Sequence, residues 1–72
     1  METLDLHGVR HHKAEALAED FVLRHDAPMR IITGNSWSMK KIVEEVLERY
    51  NLRGEPESDW NLGSLIVYEQ DF

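Results

Sequence analysis

The sequence contains no cysteine, and only 2 prolines and 4 glycines occur among its 72 residues. The absence of cysteine excludes a disulfide framework and a cysteine-ligated zinc site. Because proline and glycine are scarce and no repeat or low-complexity segment occurs, no stretch has the composition of a flexible linker. We therefore expect one domain over residues 1–72, with its core between residues 3 and 69.

Long apolar runs are also missing. No run approaches the roughly 20 residues that a membrane-spanning helix needs. The first residues, Met1–Asp5, lack the basic start and apolar stretch of a secretion signal. We expect a cytoplasmic protein that is monomeric and has no membrane partner.

Basic residues are few as well. Lys and Arg total 8 against 14 Asp and Glu, so the formal net charge is −6 and the sequence pI is near 5.0. This acidic balance counts against broad nucleic-acid binding, because phosphate contacts need clustered cations. The positions of these few cations along the chain therefore matter more than their number.

The hydrophobic pattern predicts alternating strands and helices. Leu4 and Leu6 alternate with polar residues, which is typical of a short strand, and Gly8 stops it. Apolar residues at helical spacing predict a helix that ends before Pro28. The full set is a strand over Thr3–His7, a helix over about His12–His25, a strand over Met29–Thr33, a helix capped by Ser36 or Ser38 and by Asn51 or Gly54, an edge strand over Arg53–Glu57, a turn over Ser58–Gly63 and a strand over Ser64–Glu69.

This order predicts the α/β (α+β) class: a two-layer sandwich of β-α-β-α-β-β order, with a four-stranded mixed sheet and both helices on one face. A strand–helix–strand unit almost always crosses over right-handed, so the first two strands should be parallel. Most of the core should come from Leu4, Leu6, Leu17, Phe21, Ile31, Ile42, Val46, Leu47, Leu65 and Val67.

The loops after the two parallel strands should share one edge of the sheet. They are Gly8–His11 and Gly34–Trp37. Ligands of open α/β sheets bind at this carboxyl edge, where the parallel strands end. We therefore expect the functional site there.

Two motifs stand at the mouths of these loops: Leu4-Asp5-Leu6-His7-Gly8 and Thr33-Gly34-Asn35-Ser36. The sequence here resembles the Smr (small MutS-related) domain family, which opens with a Leu-Asp-Leu-His-Gly motif and carries His-Gly-x-Gly or Thr-Gly-x-Gly after its second strand. The resemblance extends over about Thr3 to Glu69. The first motif matches completely, whereas Ser36 stands where the second glycine of the second motif is expected.

The resemblance implies a fold like the C-terminal domain of translation initiation factor 3, nucleic-acid binding and, as in several members, endonuclease activity. It also implies the candidate catalytic residues, which are Asp5, His7, Thr33 and Gly34. The departure at Ser36 favours a member that has kept the fold and lost the activity.

The chemistry of the first motif has two interpretations. Asp5 and His7 are two residues apart on a predicted strand, so their side chains leave the same face. A carboxylate beside an imidazole can orient it, and the pair can act as a general base or hold a metal with its water. In the second interpretation, Asp5 caps the turn at Gly8 and His7 makes local hydrogen bonds.

A histidine cluster is a further candidate, because His7, His11 and His12 together with Asp5 offer ligands for divalent ions. Their spacing matches no established site, so we expect no tightly bound metal or other cofactor. Loosely held Mg²⁺ or Mn²⁺ would accompany phosphate, because Mg²⁺ keeps most of its waters.

Cations open both predicted helices, where the helix dipole normally favours acidic residues. An anion between the two openings would explain them, and ordinary solvated side chains are the alternative. Trp37 either stacks on an unpaired base or packs as a hydrophobic staple on the second helix, whereas Trp60 should cover an open edge of the core. The predicted nucleic-acid contacts are Arg10, His11, Lys13, Asn35, Ser36, Trp37, Lys40 and Lys41.

Two functions are therefore open at the level of sequence. The first is weak, strongly salt-dependent binding of DNA or structured RNA, with endonuclease activity assisted by Mg²⁺ or Mn²⁺. The second is a catalytically inactive module that binds protein or nucleic acid. The complete first motif favours the former, and Ser36 together with the acidic balance favours the latter.

Overall fold

The computed structural model describes residues 1–70, so that Asp71 and Phe72 of the predicted domain lie outside the described residues. The elements are β1 (Thr3–Asp5), α1 (His11–Arg24), β2 (Met29–Ile32), α2 (Trp37–Arg49), β3 (Leu52–Ser58) and β4 (Asn61–Glu69). The four strands form one mixed sheet in the order β1-β2-β4-β3, with β1 and β2 parallel and the other neighbours antiparallel. The predicted two-layer class and the parallel pairing are confirmed.

The sheet register separates a buried face from an open one. Leu4 pairs with Ile31, and Ile31 pairs with Leu65, so these three side chains form one row on the same face. The residues of both helices pack on this face and complete the core. Polar side chains such as Arg30 lie one position along and occupy the opposite face, which no helix covers.

The core differs from the prediction at one position. Leu17 is 42% exposed, so its assignment to the core is wrong. Ala14, Ala18, Phe21 and Val22 supply the buried stripe of α1, and Leu17 lies at the margin of that stripe. Two other predicted core residues are half-buried at the periphery, namely Leu4 and Ile42.

The caps of α2 follow the sequence signals. Ser36 is the N-cap, and its hydroxyl accepts a hydrogen bond from the backbone N–H of Met39 at 3.1 Å. Asn51 follows the helix with a φ of 56°, in the left-handed region that asparagine tolerates. Of the alternatives that the sequence left open, the structure has Ser36 as the N-cap and Asn51 as the left-handed residue after the helix.

The β3–β4 hairpin is longer than predicted. The expected turn over Ser58–Gly63 is wrong, because β4 begins at Asn61 and only Asp59 and Trp60 form the turn. Gly63 signals a turn in the sequence, but here it lies within β4 where another backbone approaches closely. The hairpin therefore extends beyond the end of β2, which pairs with β4 only as far as Ser64.

No helix within residues 1–70 has the length and apolar character that crossing a bilayer requires.

Candidate functional site

The carboxyl edge of β1 and β2 is built on a junction between the second loop and β4. The backbone N–H groups of Thr33 and Gly34 both donate to the carbonyl oxygen of Gly63, at 2.8 and 3.0 Å. The hydroxyl of Thr33 donates to the carbonyl oxygen of Gly34 at 2.8 Å, and the residue is only 2% exposed. Thr33 is therefore buried beneath the loop, and its hydroxyl is hydrogen-bonded to backbone carbonyl groups.

Gly34 has a left-handed conformation, with a φ of 68°, which glycine adopts at no steric cost. A Cβ added there would lie 3.1 Å from Cδ2 of His7, so the imidazole packs directly against this glycine. A Cβ added to Gly63 would lie 3.2 Å from the Gly34 backbone. The first motif, the second motif and the hairpin thus meet at one point, and bulk at any of the three would disturb the others.

Asp5 holds the turn that carries His7. Strand β1 ends at Asp5 and His7 lies in the following turn, so the predicted strand over Thr3–His7, with both side chains on one strand face, is wrong. The carboxylate of Asp5 accepts a hydrogen bond from the backbone N–H of His7 at 2.9 Å. Gly8 completes the turn with a φ of 81°. The turn-capping interpretation of Asp5 therefore describes its contact in this structure, and within residues 1–70 no hydrogen bond joins this carboxylate to the imidazole.

The histidines of this edge do not gather into a metal site. In the described part of the chain, no three side chains of His, Asp or Glu lie close enough to hold a metal ion. His11 and His12 are exposed residues in the first turn of α1.

The basic side chains divide into two groups with different surroundings. Arg24 pairs with Asp20, Arg30 with Glu57, Arg49 with Glu15 and Glu19, and Arg53 with Glu55. The other four cations form no salt bridge within residues 1–70. These are Arg10, Lys13, Lys40 and Lys41.

The four unpaired cations all lie in or beside the openings of the two helices. Arg10 is the N-cap of α1 without a side-chain capping hydrogen bond, and neither helix has an acidic residue in its first turn. Since α1 and α2 follow β1 and β2 within a few residues, both openings belong to the carboxyl edge. Among the other predicted contacts at this edge, Asn35 is exposed, while Ser36 is half-buried with its hydroxyl used as the N-cap.

The two tryptophans are the most exposed aromatic residues described. Trp37 is 82% exposed, so its interpretation as a hydrophobic staple is wrong. The ammonium group of Lys40 lies 5.8 Å from the centre of its ring, and the indole borders a groove of about 410 Å³ together with Ser38, Lys41 and Glu44. The prediction that Trp60 covers the core is also wrong, because Trp60 is 89% exposed at the tip of the hairpin.

The position of Trp60 does not follow from the sequence, because the predicted turn over Ser58–Gly63 is longer than the actual turn. The alternation of apolar residues starts only at Leu65, and Gly63 resembles a turn residue, so the beginning of β4 carries no strand signal. The signal that was available is the pair of residues at the centre of the turn, Asp59-Trp60, where a large apolar side chain has no core to enter.

The chain matches no protein-family model, no curated protein and no solved structure. The resemblance to the Smr family therefore depends on the two motifs and the order of the elements.

Proposed function

We propose that this domain binds nucleic acid through phosphate contacts at the carboxyl edge of its sheet. The observation that carries the proposal is the division of the cations. Each arginine elsewhere in the described chain has an acidic partner, whereas Arg10, Lys13, Lys40 and Lys41 have none. A charge without an internal partner is available to an external anion, and all four lie at one edge.

The acidic balance of the chain limits the strength of this binding. Four cations at the edge allow few phosphate contacts. Because the net charge is −6, the rest of the domain repels phosphate groups. Four contacts correspond to a slope of log K against log salt no steeper than about −4. Binding should therefore be weak and should weaken further as salt is added.

The glycine loop supports the same proposal. Gly34 packs against the imidazole of His7, and its N–H donates to Gly63, so these contacts bring both motifs together at the carboxyl edge. The resemblance to the Smr family assigns this loop and the His7 turn to the functional site of a nucleic-acid-binding domain. The loop at Gly34 and the turn at His7 lie at the same edge as the unpaired cations.

The test is a titration with DNA and RNA oligonucleotides at low salt, followed by amide chemical shifts. Changing Arg10, Lys13, Lys40 or Lys41 singly to Ala should weaken binding and make the salt slope shallower by about one unit. Arg24→Ala is the matched control, because it removes the same charge from a side chain paired with Asp20. Equal losses in Arg24→Ala and the edge variants would mean that only the net charge matters and would contradict the proposal.

Cleavage is a second candidate function, favoured by the exposed Asp5 carboxylate and the His7 imidazole beside the glycine loop. An imidazole can act as general base, and a carboxylate can hold Mg²⁺ or Mn²⁺ with its waters. Any such activity should be weak, because Ser36 places a Cβ where a second glycine would allow closer approach of the loop backbone to a phosphate.

Two variants test cleavage without unfolding the domain. Asp5→Asn retains a side-chain oxygen that can accept the hydrogen bond from the N–H of His7, and it should abolish cleavage of supercoiled DNA or structured RNA. Ser36→Gly loses the N-cap of α2 at a cost of only a few tenths of a kcal/mol, and it should increase cleavage. If neither the parent nor Ser36→Gly cleaves, the domain is a non-catalytic interaction module.

A further inference from the structure

Both tryptophans are placed where they add nothing to the core. Trp37 is 82% exposed and Trp60 is 89% exposed. The other aromatic side chains within residues 1–70 have internal partners: Phe21 packs in the core, the hydroxyl of Tyr50 donates to Glu19, and Arg53 lies over the ring of Tyr68. Trp60 has no aromatic or cationic partner within residues 1–70, and Trp37 has only the ammonium group of Lys40 beside its ring. Large rings exposed to water in this way indicate a binding surface rather than a structural role.

The two indoles belong to the same edge of the molecule although they are 23 residues apart in the sequence. The junction of Gly34 with Gly63 joins the second loop to β4, and each tryptophan lies three residues along the chain from its glycine. Three residues extend the chain by at most about 11 Å. The two rings therefore flank the junction on separate arms, one at the start of α2 and the other at the hairpin tip.

We infer that Trp37 and Trp60 stack on unpaired bases of one single-stranded segment, so that the domain prefers single strands to duplexes. This inference rests on the proposed binding of phosphates at the carboxyl edge. Indole rings stack on any base, but the faces of bases within a duplex are already covered by their neighbours. The cations would hold the backbone of the strand, and the rings would select strands whose bases are open.

The charges around the rings fit a nucleic acid better at one arm than at the other. Lys40 and Lys41 lie beside Trp37 and supply phosphate contacts there, with Glu44 as the one carboxylate lining the groove. On the hairpin, Glu55 and Glu57 pair with Arg53 and Arg30, whereas Asp59 at the tip has no salt-bridge partner among residues 1–70. The hairpin tip therefore offers stacking without a phosphate contact, so the contribution of Trp60 should not depend on salt.

The experiment measures the affinity of the full chain for an oligothymidylate of about 12 nucleotides, within the range of known single-strand sites, and for a blunt duplex of the same length. The parent should bind the single strand at least about tenfold more tightly. Trp37→Ala and Trp60→Ala should each reduce single-strand affinity by about tenfold, as the loss of one stacked base does. Leu23→Ala is the control, because Leu23 is an exposed apolar side chain of α1, 63% exposed.

Salt dependence distinguishes the roles of the two kinds of side chain. Trp60→Ala should lower the affinity equally at every salt concentration and leave the slope unchanged, whereas Lys40→Ala should reduce the slope by about one unit. Tryptophan fluorescence gives an independent readout, since Trp37→Phe leaves Trp60 as the sole indole and Trp60→Phe leaves Trp37. Each remaining indole should be quenched by the single strand and not by the duplex.

The outcomes separate this inference from the proposed function. Binding of single strand and duplex with equal affinity, unaffected by Trp60→Ala, overturns the stacking inference and leaves phosphate binding intact. Failure to bind either oligonucleotide overturns both. Loss of single-strand affinity in Trp37→Ala alone overturns the role of the hairpin tip.

Discussion

The contact between α1 and α2 and the carboxyl edge of the sheet use charged side chains in opposite ways. Between the helices, Arg49 of α2 donates to Glu15 and Glu19 of α1, at 2.9 and 3.2 Å, and the hydroxyl of Tyr50 donates to Glu19 at 2.9 Å. At the edge, four cations stand without acidic partners in the described chain. The acidic residues of this chain are numerous enough to pair with every cation, yet the four cations at the edge have no acidic partner within residues 1–70.

The paired and the unpaired charges have different roles. The hydrogen bonds of Glu19 and Glu15 raise the pKa of Tyr50 and of Arg49, respectively, so that both groups keep their protons. Charges satisfied in this way join two helices and offer little to a ligand. Charges without a partner contribute little to folding, which leaves their interaction energy available for binding.

The largest effect should come from removing all four unpaired cations. A variant with Arg10, Lys13, Lys40 and Lys41 changed to Ala should lose detectable oligonucleotide binding, since the salt slope falls by about four units. Its thermal unfolding midpoint should stay close to that of the parent, because none of these side chains has a salt-bridge partner within residues 1–70. A large loss of stability would show that the edge cations hold the fold, and the contrast between the two regions would fail.

A second prediction concerns the glycine at the junction. Gly34→Ala should lower the free energy of unfolding by about 2 kcal/mol, because a Cβ is strained at a φ of 68° and meets the imidazole of His7. Gly8→Ala is the matched control, since Gly8 has a φ of 81° but no atom within 4 Å of the added Cβ. Its loss should be about 1 kcal/mol in urea denaturation. Equal losses in the two variants would mean that the contact with His7 carries no energy.

A third prediction concerns the ion pairs between the two helices. Arg49→Gln removes the charge that faces Glu15 and Glu19, and it should lower the unfolding midpoint by less than Gly34→Ala does, because exposed ion pairs contribute little. Oligonucleotide affinity should not fall, since Arg49 lies outside the carboxyl edge. A loss of affinity equal to that of Lys40→Ala would remove the distinction between the two groups of cations.

The smallest effect is expected on the open face of the sheet. The hydroxyl of Ser64 donates to Glu57 at 2.7 Å, and this hydrogen bond, together with Arg30, lowers the pKa of Glu57. Because the folded pKa lies below the unfolded one, the resulting stability is present above the unfolded pKa and is lost as pH falls through the folded pKa. Ser64→Ala should raise the pKa of Glu57 towards its usual value in a carboxyl ¹³C titration. An unchanged titration would assign the shift to Arg30 alone.

Much of the fold follows from the sequence because its signals are local. The alternation around Leu4 and Leu6, the apolar stripe of α2 and the cap at Ser36 each lie within a few residues, and the right-handed crossover then makes β1 and β2 parallel. The core assignment of Leu17 was wrong because one turn of helix does not reveal which margin of an apolar stripe faces the sheet. The predicted turn over Ser58–Gly63 was wrong because glycine, here Gly63, is a typical turn residue.

The candidate site is harder to predict, because its parts meet only in three dimensions. The order of the elements predicts that the two motifs, with Asp5, His7, Thr33 and Gly34, lie at one edge of the sheet. It did not reveal that Thr33 is buried beneath the loop or that the imidazole touches Gly34, since both depend on contacts between strands. The unpaired state of the edge cations likewise depends on where the acidic side chains lie in space.

The contact between Gly34 and Gly63 also has a mechanical consequence. Two N–H groups of the loop share a single carbonyl acceptor on β4, and no side chain separates the two backbones. A displacement of the hairpin tip should therefore also shift the loop at Gly34 and the imidazole of His7 that packs against it. Substitutions at residues 34 and 63 should consequently be non-additive, with each change altering the cost of the other.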